Sequence, residues 1–331
     1  MSNQTLSILN KSFCKKEKYN IITFDTHERY QTQLAKTGHN FYSFQYDGCK
    51  DWNETYAKIP DNYYTMPKNT IPNGIDFDFI LSQSKFGQFQ VAKQIQKVFN
   101  LPIISLEHTL PINSWPNQQL ETFRQMNGDI NVFISEYSCR EWQMGGQVVH
   151  HSIDTETFSP PSNEGIRLPK QSHVLSVVND YVNRDYCCNF KGWQRITNGL
   201  KTRLVGDTPG LSKAAASIEE LVSEYQNAAV FLNTSTVSPV PTSLLEAMAC
   251  GSAVVSTATC MIPEIIKNGV NGFISNDESE LRGYIEKLLY DNKLREELGY
   301  NARKTILDRF SEEKFLDKWN KIFDKAYEVK K

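Results

Sequence analysis

Residues Ile75–Thr109 read IDFDFILSQSKFGQFQVAKQIQKVFNLPIISLEHT. Phe79-Ile80-Leu81 is a short apolar run suited to a buried strand, Gln88–Phe99 reads as a helix, and Pro102–Leu106 is a second apolar run. Strand, helix and strand in that order need a crossover, which sets the two strands parallel in one sheet. The same order stands upstream, where Asn20–Phe44 gives an apolar run, a helical stretch, Gly38 and another apolar run. A further strand is expected at Asn131–Ser135.

After His151 the chain reads SIDTETFSPPSNEGIRLPK, rich in proline, serine and charge, which suits a linker between domains. A second alternating series begins at His173, with strands at VLSVV, TRLVG, AVFLN and AVVST. Helices are expected at Ser217–Gln226, Ser243–Ala249 and Pro263–Ile266, followed by two long helical stretches from Ser279 onward. The expected fold class is α/β, with two doubly wound parallel-sheet domains facing a central cleft. Residues 1–160 form the first, 161–310 the second, and 311–331 a closing helix that packs back toward the first. A length of 331 residues suits two such domains.

Hydrophobic content of 40% and charged content of 22% belong to an ordinary globular chain. A net charge of −2 argues against a protein that mainly coats nucleic acid, without excluding a local basic groove. No apolar run is long enough to span a bilayer, and the start lacks the apolar core of a secretory signal, so a cytoplasmic protein without stable membrane insertion is expected. The seven cysteines are scattered without a C-x-x-C pair and read as reduced thiols.

Ligands of open parallel sheets sit beyond the carboxyl ends of the strands. There the second series places Arg184 and Lys191 after VLSVV, Gly206-Asp207 after TRLVG, and SPVPTSLLEAMACG (Ser238–Gly251) after AVFLN. The last is a rigid loop running into a helix start, where unpartnered N–H groups and the helix dipole favour anions. A blander account exists: Ser243 and Glu246 have the spacing of a capping box. Likewise, Arg184 and Lys191 could be solvated surface charges. Two cations, a glycine loop and a helix N-terminus on one edge nevertheless suit a diphosphate.

The run from Asn233 to Asp277 resembles the donor-binding signature of the retaining glycosyltransferases of family 4, which have the GT-B fold of two Rossmann-like domains. FISEYS, SIDTETFSP, FKGWQ, LVGD and ARKTILDRFSEEKFLDKW are similar to further segments of that family. The resemblance implies a metal-independent hexosyl- or pentosyltransferase with no cofactor, using a UDP- or GDP-sugar as co-substrate. Glu246 matches the second glutamate of the family's E-x7-E motif, which binds ribose hydroxyls, and Ser238 stands where the first glutamate belongs. Arg184 and Lys191 match the basic pair on the leaving diphosphate, and His108 the cleft histidine that approaches the transferred sugar. Gly206, Asp207, Ser238, Pro241, Thr242, Ser243 and Leu244 complete the implied donor site with Glu246. The first turn, DTHERYQ, departs from the family's glycine-rich loop and leaves His27 and Glu28 facing the acceptor side.

Departure of a nucleotide diphosphate builds negative charge on phosphate, which Arg184, Lys191 and the N–H groups near Pro241–Ser243 are suited to hold. Glu264 reads as structural, and His150-His151 as packing or solvated near the linker. Asp76-Phe77-Asp78 is formally a D-x-D metal motif, but it precedes a buried strand of the first domain and reads as a chance match. The acceptor is a hydroxyl, on a glycan or on a hydroxymethylated DNA base. The rival readings are a nucleotide-sugar binder without transfer, motivated by Ser238, and a nucleotide-sugar epimerase of the same fold.

Overall fold

The computed structural model describes residues 16–54, 56–111, 115–161, 171–238 and 240–330. In chain order the elements are β1 (Asn20–Thr23), α1 (Glu28–Ala35), β2 (Asn40–Ser43), β3 (Tyr63–Thr65), β4 (Phe79–Ser82), α2 (Gln88–Phe99), β5 (Ile103–Glu107), α3 (Asn117–Arg124), β6 (Ile130–Phe133), α4 (Glu136–Trp142) and β7 (Gln147–Val148). Then follow β8 (Gln171–Val177), α5 (Asp185–Cys188), α6 (Phe190–Thr197), β9 (Thr202–Val205), α7 (Ile218–Asn227), β10 (Ala228–Asn233), α8 (Thr242–Ala249), β11 (Ala253–Ser256), α9 (Ile262–Ile265), β12 (Phe273–Ile274), α10 (Glu278–Tyr290), α11 (Asn292–Arg309) and α12 (Glu312–Lys330).

The chain divides into two compact units. The first takes the chain up to Phe133, Gln143–Val149 and everything from Leu316; the second takes Ile134–Trp142 and His150–Phe315. The chain thus enters the second unit at Ile134, ahead of the proline-rich segment, and leaves it within α12. The first unit holds a seven-stranded sheet in the order β3-β2-β1-β4-β5-β6-β7, and the second a five-stranded sheet in the order β12-β11-β10-β8-β9. Every pairing between these strands is parallel. Strand order reverses between β1 and β4 in one sheet and between β8 and β10 in the other, the topological positions where such sheets bind ligands.

Central strands β4, β5, β10 and β11 are buried along their whole lengths, the condition that makes their sequences continuously apolar. Helix α2 spans the expected residues, with Phe89, Ala92 and Ile95 facing the core of the first unit beside Ile22, Ile80 and Ile103. It stops at Asn100, whose left-handed backbone closes the helix. In the second unit Ser217 caps α7 by accepting from the Glu220 N–H, while the Glu220 carboxylate reaches back to the Ala216 N–H at 2.6 Å. The two long stretches expected after Ser279 and the closing helix are α10, α11 and α12, separated where Asp291 caps α11 at the Leu294 N–H and where Ser311 precedes α12.

From Leu316 the closing helix belongs to the first unit: Trp319 donates to the Tyr30 hydroxyl at 3.0 Å, Asp324 accepts from Tyr19 at 2.8 Å, and Phe323 stacks on Phe79. Asp78 is fully buried and accepts from Lys16 at 2.7 and 2.8 Å and from the Asn20 N–H at 2.8 Å, while Asp76 and Asp78 both lie within 3.4 Å of the Lys330 ammonium. The D-x-D motif is therefore the acidic half of a charge cluster tying the chain end to the first strand. The described cysteines are free thiols; Cys14 lies outside the described residues.

Candidate functional site

In the second unit the expected donor residues occupy the carboxyl ends of β8, β9 and β10. Gly206 follows β9 with φ +126°, and a Cβ there would sit 2.1 Å from the Val178 carbonyl oxygen. Only glycine lets β9 turn this close to the end of β8. The two loops are then joined by Asp207 N–H to the Asn179 side chain (2.9 Å) and Asp180 N–H to the Asp207 carbonyl (2.7 Å). Gly206→Ala should lower Tm by several degrees, about 1–3 kcal/mol, in a thermal melt.

Arg184 precedes α5 and Lys191 lies in the first turn of α6, both exposed. Between them Asn189 takes a left-handed backbone, and its side chain accepts from the Gly192 N–H at 3.1 Å. Asp185 accepts from the Lys191 N–H at 2.9 Å and lies 3.4 Å from its ammonium. The turn therefore fixes the backbone of the basic pair while both cationic ends stay in solvent.

Helix α8 begins at Thr242 with Pro241 as its N-cap, and no side-chain cap bond forms. The capping-box account fails, because the Glu246 carboxylate instead accepts from the Tyr225 hydroxyl of α7 at 2.8 Å. The first backbone bonds of the helix run from Leu244 and Leu245 to the Pro241 carbonyl, so the N–H groups of Thr242 and Ser243 lie ahead of them. Leu244 is fully buried and anchors the loop to the core. Ser238 lies half-buried in the β10–α8 loop, where the Cys260 thiol reaches the Thr236 carbonyl. Glu264, read as structural, binds Arg140 at 3.0 Å.

In the first unit, His108 directly follows β5 and is 9% exposed. Its ring meets the exposed His27 at 4.1 Å between centroids and Tyr30 edge-on at 4.7 Å, and its Nε2 lies 3.4 Å from the Gln83 amide oxygen. Although its edge reaches solvent, desolvation by the surrounding protein lowers the His27 pKa, which Glu28 partly opposes. Glu28 itself is buried; burial pushes its carboxyl up, but Lys50 at 2.6 Å and the Asn53 N–H at 3.1 Å hold it below the usual range. The structure thus joins His27 to His108 and turns Glu28 to the loop of Lys50. His150, beside the linker, packs on Phe310.

Three further polar side chains, none of them among the expected site residues, are buried at the ends of β4 and β5. Gln83 donates to Gln31 at 2.7 Å, Lys85 donates to the Met126 carbonyl at 2.7 Å, and Glu107 accepts from the Thr109 hydroxyl and N–H at 2.6 and 2.9 Å. The signal was available as the polar run Gln83-Ser84-Lys85 directly after the apolar strand. Burial pushes the Lys85 ammonium down from 10.5 to about 8, against the opposite pull of Glu107. Below pH 8 this lysine is charged in both folded and unfolded chains, so the cost of burying it counts in full. Between 8 and 10.5 the folded chain releases a proton that the unfolded chain keeps, so stability rises with pH. Urea midpoints at pH 7 and 9.5 should show the wild type gaining on Lys85→Met by on the order of 2 kcal/mol.

The fold can be placed among known proteins. Sucrose-phosphate synthase from Thermosynechococcus elongatus superposes with a TM-score of 0.74 at 15% identity, covering 94% of this chain and 100% of that one. Anabaena Alr3699/HepE, solved in complex with UDP, gives 0.72 at 14% identity over 93% and 100% of the two chains. The fold is that of the GT-B glycosyltransferases. Residues 214–305 match the Glycosyl transferases group 1 family, and the chain carries a domain of that family. An uncharacterized glycosyltransferase, MJ1069 of Methanocaldococcus jannaschii, is 36% identical over 85 residues, 25% of this chain and 22% of that protein. The chain thus spans about a fifth of the length of this curated relative. Among the described residues no helix is long and apolar enough to cross a membrane.

Proposed function

We propose that this chain is a retaining glycosyltransferase that moves a sugar from a UDP-sugar to a hydroxyl acceptor without a metal ion. One observation carries the reading: Glu246, held by Tyr225, stands on the helix whose leading N–H groups share a sheet edge with Gly206, Arg184 and Lys191. A carboxylate accepting two vicinal O–H groups suits ribose, and the cations and N–H groups suit the diphosphate. The choice of UDP is supported by the nucleotide seen in the Anabaena neighbour.

In the step we propose, the bond from the anomeric carbon to the β-phosphate oxygen breaks and its electron pair stays on phosphate. The acceptor oxygen bonds to that carbon on the same face, and its proton passes to the departing phosphate oxygen. The products are UDP and a glycoside of unchanged anomeric configuration. Neither an enzymic nucleophile nor a metal enters this balance. Arg184 and Lys191 offset the charge on phosphate.

The test is calorimetric titration with UDP, GDP, ADP and their common sugar conjugates, with and without EDTA. Binding of UDP and one conjugate, unchanged by EDTA, is the expected result. Absence of all nucleotide binding would end the reading, and loss in EDTA would end its metal-free part. Ser238, in place of the motif's first carboxylate, motivates a second reading as a nucleotide-sugar binder without transfer. UDP-sugar that binds but is never consumed, with any glycan or hydroxymethylated DNA offered, would favour it.

A further inference from the structure

The loops after β4 and β5 carry an aromatic cluster to which the reaction above assigns no role. Phe86, in the β4–α2 connection, is 48% exposed. Its ring lies 4.9 Å from Phe123 and 5.8 Å from Trp115, and Trp115 lies 5.0 Å from Phe123, measured between centroids. Trp115 belongs to the β5–α3 connection that starts with His108, and Phe123 to α3, a helix with no buried residue. An apolar patch displayed at the ligand edge of a parallel sheet is an interaction surface rather than core.

The surrounding charges select its partner. Helix α3 presents Asn117, Gln118, Gln119 and Thr122 to solvent. Its one cation, Arg124, is bonded to Glu121 at 2.7 Å, so the helix carries no net charge. The Lys85 ammonium is directed to the Met126 carbonyl, and Lys93 is bonded to Gln96. A groove for nucleic acid needs cations tracking phosphates, and a helix lying on an anionic bilayer needs lysine or arginine on its polar face. Here the neighbouring cations are each bonded to a protein group, so neither pattern forms among the described residues. Three aromatic rings beside a helix that exposes neutral amides suit a ligand with one C–H face and a rim of neutral hydroxyls.

We infer that Phe86, Trp115 and Phe123 form the acceptor subsite for a neutral saccharide, one sugar ring stacking on the aromatic cluster while its hydroxyls bond the amides of α3. The inference rests on the glycosyltransferase reading and names its acceptor class.

Maltotriose, cellotriose and chitotriose are titrated into the full chain by calorimetry, both free and saturated with UDP. We expect at least one to bind and Phe86→Ala and Phe123→Ala each to weaken it tenfold or more, with UDP affinity within twofold of wild type. Phe86 is half in solvent, so an unchanged melting temperature separates this loss from unfolding. Trisaccharide binding indifferent to both substitutions would overturn the subsite, as would the failure of all three to bind wild type. Phe86-dependent capture of phosphatidylglycerol vesicles or of duplex DNA would assign the patch to another partner. A dimer in sedimentation that Phe86→Ala dissolves would assign it to a second copy of the chain. The titrations without nucleotide read the subsite even if UDP does not bind, so the two readings fail separately.

Discussion

Glu246→Gln is expected to weaken UDP binding by roughly ten- to a hundredfold while leaving the melting temperature nearly unchanged. In the proposed reading the carboxylate accepts from two ribose hydroxyls, and hydrogen bonds to a charged group are each worth about 1.5–3 kcal/mol. Glutamine removes the charge and replaces one acceptor oxygen with an NH2 group, but the remaining oxygen can still accept from Tyr225. Alanine is the less informative substitution. Tyr225 is fully buried, and Glu246→Ala would strip an acceptor from its hydroxyl, costing about 1–3 kcal/mol of stability besides any loss of affinity. Calorimetry and thermal melts on both variants separate the two contributions. If Glu246→Gln bound UDP as tightly as wild type, the role of this glutamate would be structural and the donor site would need another ribose ligand.

The same residue shows where the sequence stopped being legible. Strands β4 and β5 could be read from Phe79-Ile80-Leu81 and Ile103–Leu106 because a strand covered on both faces must be apolar throughout. Helix α2 could be read because its buried positions recur on one face. The sequence pattern sets the start of α8 at Ser243, one residue after its true start at Thr242. Ser243 looked like a cap, while the helix begins after Pro241, whose fixed φ suits the preceding turn. What Glu246 does instead depends on Tyr225, a hydroxyl on a different helix that no local pattern announces. Glu28 is similar: beside His27 it reads as an acceptor-side residue, but Lys50 lies on another loop and draws it inward. Three-residue β3 and two-residue β7 escaped notice because so short an edge strand has no period to recognise. The meeting of His27 with His108 follows from β1 and β5 flanking β4, a fact of strand order.

Lys191→Ala should lower kcat for sugar transfer by about 10²- to 10³-fold, and Arg184→Ala by a similar factor, with smaller effects on KM for the donor. Charge on the departing phosphate is greater in the transition state than in the bound donor, so a cation fixed beside it acts mainly on the rate. The structure supplies the fixing through the backbone. Asn189 caps α6 at Gly192, and Asp185 holds the Lys191 N–H, while the exposed ammonium needs no core contact to fold. Both alanine variants should therefore melt at the wild-type temperature. Lys191→Arg keeps the charge but replaces a compact ammonium with a planar fork, so it should restore only part of the rate. Gly192→Ala tests the scaffold without touching either cation, since its Cβ would meet the Asn189 side chain at 2.3 Å and disturb the cap that sets the direction of Lys191. A rate loss in Gly192→Ala with unchanged UDP affinity would tie catalysis to the geometry of this turn. Full activity in Lys191→Ala would instead leave Lys191 and Asp185 as a surface pair and place the diphosphate on Arg184 and the N-terminus of α8 alone.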